Sequence, residues 1–108
     1  DVSGDCTRVV ISSAPDQLAA ETLAGALVEA KLAACVNLLP GVLSVYVWEG
    51  EICREAEVLM VVKTTEGRAA QVVELIESEH PYDCPEAIVL EVAGGSRAYL
   101  DWIVSTVG

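Results

Sequence analysis

Polar and apolar positions alternate with two different periods along the chain, and the changes of period mark out the elements. Arg8 to Ser12 (RVVIS) is a compact strand-type run that stops at the turn cluster Ser12-Ser13-Ala14-Pro15-Asp16. Proline suits a helix's first turn and serine suits an N-cap, so a helix is expected to open at Ser13 and run through Leu32. Leu18, Thr22, Leu23, Ala26, Leu27 and Ala30 fall on one face at three-and-four spacing, with Glu21 and Glu29 off that stripe. Almost no loop separates this helix from ACVNLLPGVLSVYVWEG, residues 34–50, which reads as one long strand. Pro40-Gly41 interrupts it, since proline removes a ladder donor and glycine weakens a strand interior, and a bulge or an edge is expected there.

Glu49-Gly50-Glu51 is a tight connection, after which Ile52 to Thr65 runs back as a second long strand, completing a hairpin. Its continuous run Val58 to Val62 is expected to be covered on both faces. Thr64 or Thr65 is placed to cap a second helix with Glu66 in its first turn, an apolar stripe of Ala69, Val72, Val73 and Ile76, and an end near Glu79. His80 to Glu86 holds two prolines and cannot be helical. Ala87 to Ala93 is a last strand, Gly94-Gly95 a turn, and Ser96 the N-cap of a short helix carrying Tyr99, Leu100, Trp102 and Ile103. This order predicts an α+β fold of ferredoxin-like βαββαβ type: one domain over residues 1–108, with an antiparallel sheet, a long hairpin from the second and third strands and a short C-terminal helix. Both main helices then cover one sheet face and leave the other bare, which predicts a homo-oligomer.

Composition narrows the partners. With 53% hydrophobic and 21% charged residues in a 108-residue chain, the core needs neither metal nor disulfide to fold. Six basic residues against 17 acidic give a formal charge of −11, a field that repels nucleic acid and anionic membrane. The four cysteines, Cys6, Cys35, Cys53 and Cys84, show no zinc-module spacing, and a reducing cytoplasm is the economical compartment. The chain begins at Asp1, which leaves an upstream address open.

The residues Ala34-Cys35-Val36-Asn37, Pro40-Gly41, Ser44 to Gly50, Lys63-Thr64, His80-Pro81-Tyr82, Pro85-Glu86 and Tyr99 to Ile103 resemble the CutA family of divalent-cation tolerance proteins. The resemblance spans about Val9 to Ile103. It implies a homotrimer in which long hairpins extend neighbouring sheets, similar to PII-type signalling proteins, and a role in tolerance of copper or another divalent cation. It brings no agreed catalytic reaction. Where some members end the first strand on a cysteine this chain has Ser12-Ser13, so a thiol role carried over from the family reaches only Cys35.

Projected onto that trimer, Trp48, Glu57, Lys63, His80, Tyr82 and Glu86 form a candidate inter-subunit cleft, in which a lysine beside acids and a histidine could hold an anion or move a proton. The plainer reading makes Glu57 and Lys63 a buried or interfacial ion pair and packs His80 against Pro81. Cys35 and His80 are the candidate metal ligands, sufficient for copper only if several chains contribute. Tyr46, Trp48 and Trp102 are expected at the trimer interface, because a chain without Phe needs its few large aromatics at joints. An enzyme is not expected: the turn after the first strand lacks the arginine of an acylphosphatase phosphate loop, and the single histidine has no nucleophile partner in sequence. A small-ligand signalling trimer and a protein-interaction scaffold are the alternatives.

Overall fold

The structure, a computed structural model, describes residues 6–107. Its elements are β1 (Thr7–Ala14), α1 (Gln17–Glu29), β2 (Cys35–Trp48), β3 (Glu51–Thr65), α2 (Ala69–Glu79), β4 (Ile88–Glu91) and α3 (Arg97–Thr106). The sheet order is β2-β3-β1-β4 with every pair antiparallel, the ferredoxin-like arrangement. Val10 and Val62 stand opposite each other on the central strands and are fully buried against Leu27 of α1 and Val72 and Ile76 of α2. A second group, Ala14, Ala20, Leu23, Val58 and Met60, continues this core toward the hairpin. Full burial of one such side chain, Leu27 for example, stabilises the fold by about 2 kcal/mol.

Several element boundaries differ from the sequence expectation. Ser13 does not cap α1, because Ser13 and Ala14 remain in β1 opposite Leu59 and Val58, and ladder pairing outcompetes the cap. Asp16 takes that role, its Oδ1 accepting the Ala19 N–H at 2.8 Å. The helix stops at Glu29, with Lys31 in the left-handed region at φ 59°, while Leu32 and Ala33 stay buried in the connection. Of the expected stripe only Leu23 and Leu27 are buried, together with Ala20, whereas Leu18 is 77% exposed. At α2 neither threonine caps. The Thr64 hydroxyl is buried and donates to the Leu32 carbonyl at 2.6 Å, and Glu66 pairs with Arg8 before the helix begins. Ser96 sits at the N-cap of α3 but makes no side-chain cap bond.

Cover on β3 is one-sided within the chain. Val58, Met60 and Val62 are buried beneath the helices, but Leu59 and Val61 are only half-buried on the opposite face. That second face is not wholly bare: α3 closes one end of it with Leu100, Ile103 and Val107, leaving Leu39, Ile88 and Leu90 about half exposed.

The hairpin outreaches the sheet. β1 pairs with β3 only from Thr65 to Val58, so residues 51–57 have β2 as their sole strand neighbour, and the chain extends 48 Å along its long axis. A two-residue turn with Glu49 at φ 51° and Gly50 at φ 80° closes the tip. At Pro40-Gly41 the register shifts, with Leu39 opposite Leu59 but Val42 opposite Glu57, so β2 carries one extra residue, and Gly41 has φ 78°. The expected bulge is therefore present. Open space surrounds Gly41, so Gly41→Val tests backbone strain alone. It should lower unfolding free energy by about 1–2 kcal/mol in denaturant titration at fixed chain concentration; an unchanged midpoint would show that the bulge does not need the left-handed conformation.

Candidate binding cleft

The Pro81–Glu86 segment is tied to the end of β1 before it reaches the hairpin. The Ser12 hydroxyl donates to the Glu86 carbonyl at 2.7 Å. His80 is buried, with Nε2 2.6 Å from the Ser13 carbonyl and Nδ1 accepting the Tyr82 N–H at 3.0 Å. Both contacts are satisfied when the ring proton sits on Nε2, which leaves neither nitrogen with a lone pair free for a metal. His80 thus acts as the clamp of the loop, its ring tilted against that of Tyr82 with centroids 4.7 Å apart.

The clamp aims Tyr82 at β3, where its hydroxyl donates to Glu57 at 2.9 Å. Between this loop and the outer hairpin lies a cleft of about 690 Å³. Tyr46, Trp48 and Tyr82 contribute its aromatic surface, and Glu55, Glu57, Asp83 and Glu86 its carboxylates; no Lys, Arg or His is among the residues lining it. Tyr46 stands opposite Cys53, so Glu55 is its diagonal neighbour and accepts its hydroxyl proton.

The Tyr82 hydroxyl is pushed up to about 12 from 10.0, first by burial, then by its bond to Glu57 and by the charges of Glu57, Glu55 and Asp16. Tyr46 is also raised to about 12, first by its bond to Glu55, but it is open to solvent, which screens that effect. All the charges acting on Tyr82 are therefore negative.

Of the six expected cleft residues, Trp48, Glu57, Tyr82 and Glu86 line this space, and His80 supports it from beneath. Lys63 does not. It lies six residues from Glu57 on the same strand, roughly 20 Å away, with its ammonium bonded to Asn37, 3.4 Å from the Tyr99 hydroxyl and 3.9 Å from Cys35 Sγ. Within one chain Glu57 and Lys63 are not paired and Lys63 does not line this space, whereas the expectation placed both in a cleft between subunits. Cys35 and His80 also sit apart: Cys35 is level with Lys63 and Val9, whereas His80 meets the strand at Ser13, four residues and about 13 Å further along β1. Among the described residues no group of three or more His, Cys, Asp or Glu is arranged to hold a metal ion. Trp102, expected at an interface, lies on α3 and packs at 5.5 Å on Tyr99, away from the cleft.

Glu55 and Asp83 were not singled out by sequence. The alternation of Glu55 and Glu57 along β3, facing Ser44 and Val42 across the hairpin, was the available signal for Glu55.

Topology and site define a ferredoxin-like domain with an over-long hairpin and an acidic, aromatic cleft at its base. Residues 8–106 match the family model described as CutA1 divalent ion tolerance protein. The divalent-cation tolerance protein CutA of Thermus thermophilus is 44% identical over 101 residues, covering 94% of this chain and 98% of that protein. The crystal structure of CutA1 from Oryza sativa superposes with a TM-score of 0.92 at 40% identity, covering 95% of this chain and 94% of that one. A CutA from Archaeoglobus fulgidus, described as periplasmic, superposes at 0.91 with 36% identity, covering 94% of this chain and 99% of that one. The chain belongs to the CutA1 divalent ion tolerance family. No helix among the described residues is long and apolar enough to cross a membrane.

The raised Tyr82 value carries a pH consequence. A tyrosine whose folded value exceeds its unfolded one contributes stability that is complete below pH 10 and is lost as pH rises through about 12. Alkaline unfolding midpoints should therefore fall across that window. In ultraviolet phenolate titration, Glu57→Gln should move the late-titrating Tyr82 step downward; an unmoved step would show that Glu57 does not hold the phenol.

Proposed function

We infer that this chain works as a homotrimer in the cellular response to divalent metal ions, copper among them, with its outer hairpins seated on neighbouring subunits. The observation that carries the assembly is the outer hairpin itself. Val47 and Ile52 face each other near its tip and are 69% and 74% exposed, with Leu43 and Trp48 also open to solvent. Two strands projecting without a third are marginal in water, so a neighbouring chain that covers them supplies what the single chain lacks. Family membership supports the metal role. Tyr46, Trp48 and Trp102 are the joint residues of this reading.

Among the described residues, those of one chain do not form a chelating group for a metal. An ion bound at Cys35 would need its remaining ligands from other chains. The cytoplasm stays the proposed compartment. A small-ligand signalling role is the second reading, favoured by the cleft of about 690 Å³.

Trp48→Ala should weaken assembly by about 2 kcal/mol per interface, seen as dissociation at higher concentration than the wild type. If thermal unfolding and oligomer size were unaffected, Trp48 would be a ligand wall and no joint residue. For the metal, isothermal titration with copper should show at least about tenfold weaker binding for Cys35→Ser and unchanged stoichiometry for His80→Ala, whose nitrogens are engaged. Identical titrations for wild type and Cys35→Ser would remove Cys35 from any metal site.

A further inference from the structure

His80 is a titratable group only 8% exposed at the start of the loop, and both of its ring nitrogens are engaged. The partners leave no choice of tautomer. The Ser13 carbonyl can only accept, so Nε2 carries the proton, and the Tyr82 amide can only donate, so Nδ1 offers its lone pair. The clamp therefore depends on a neutral ring. An imidazolium carries a proton on both nitrogens, which sets Nδ1–H against the Tyr82 N–H and ends that bond. The other bond survives. Nε2–H still donates to Ser13, now from a charged ring, and hydrogen bonds from a charged donor are the stronger kind.

Protonation thus divides the clamp at one place. On the β1 side the ring stays seated on Ser13, itself buried, and the His80 amide keeps the Ile76 carbonyl at 2.9 Å. On the loop side the Tyr82 amide loses its acceptor, and Tyr82 is the residue whose hydroxyl joins the loop to Glu57 on β3. The charged groups placed around the clamp are carboxylates: Glu79 precedes it on α2, Asp83 and Glu86 lie on its own loop, Asp16 follows β1, and Glu57 and Glu55 come from β3. An imidazolium formed among them is not left as an uncompensated buried charge.

We propose that His80 is an acid-operated latch: its protonation frees the Tyr82 amide, detaches the Pro81–Glu86 loop from the hairpin and leaves the sheet and core intact. The atoms of the latch are the His80 ring, the Ser13 carbonyl and the Tyr82 amide, and the joint residues Tyr46 and Trp48 take no part in it.

Nuclear magnetic resonance of the wild-type chain tests this by following the His80 ring nitrogens and backbone amide exchange on one sample from about pH 8 to about pH 5, the range in which histidine changes charge. The Nε2–H tautomer should be present at the upper end. As the ring gains its second proton, Tyr82 amide protection, corrected for the intrinsic pH dependence of exchange, should fall at least about tenfold with the same midpoint, while the ladder amides shared by β1 and β3 stay protected. Light scattering at each pH separates loop release from dissociation. His80→Asn, whose carbonyl can stand in for the Nδ1 acceptor without titrating, should hold Tyr82 protection level across the range, and Glu57→Gln should still show the release. The wild-type result decides the matter should His80→Asn fail to fold. A ring that is neutral throughout, an Nδ1–H tautomer, or Tyr82 protection that is unchanged as the ring charges would overturn the proposal. So would equal loss in folded His80→Asn, disappearance of the release in Glu57→Gln, which would assign it to that carboxylate, or release seen only together with dissociation, which would assign it to assembly.

Discussion

The constraint on which the rest of the molecule depends is the hydrogen-bonding of the outer hairpin. Beyond Val58, β3 has lost β1 as a partner, and the remaining arm consists of two strands with free edges. Such an arm has no core of its own. Its apolar side chains, Leu43, Val45, Val47 and Ile52, share one face and meet solvent in the single chain. A natural protein normally blunts an edge of this kind with charge, proline or a covering element. Here the one proline, Pro40, sits at the bulge that redirects the strand, leaving the tip available for pairing.

The same arm makes the site. Strand alternation that turns Val45 and Val47 to one side turns Ser44, Tyr46 and Trp48 to the other, where Ser44 stands opposite Glu55. The loop after α2 closes over that second side because His80 is clamped to β1 through Ser13 and aims Tyr82 at Glu57. Leu43 and Val47 thus lie on one face of the hairpin, and Tyr46 and Trp48, the joint residues of the proposed trimer, lie on the face that lines the cleft. The chain's net negative charge becomes specific here: acidity that elsewhere serves solubility is concentrated around aromatic surface with no basic residue among it.

The topology was legible in the sequence because it rests on periodicity and turn chemistry, which are local. Pro40-Gly41 and Glu49-Gly50 marked the bulge and the hairpin tip, and the strand and helix order followed. Boundaries were less legible where tertiary pairing overrides local preference: Ser13 stays in the ladder, Thr64 turns inward to Leu32, and Leu18 lies outside the core despite its place on the stripe. The cleft was half legible. Trp48, Glu57, Tyr82 and Glu86 line one space within the chain, but Lys63 shares a strand with Glu57 at a separation that sequence proximity hides.

Native mass spectrometry of the wild-type chain at micromolar concentration tests the central claim most directly, that the hairpin arm is completed by other copies of the chain. A species at three times the 11.4 kDa chain mass is the result this account predicts. A folded species at 11.4 kDa alone would contradict it, and would mean that the two-stranded arm stands in water unsupported.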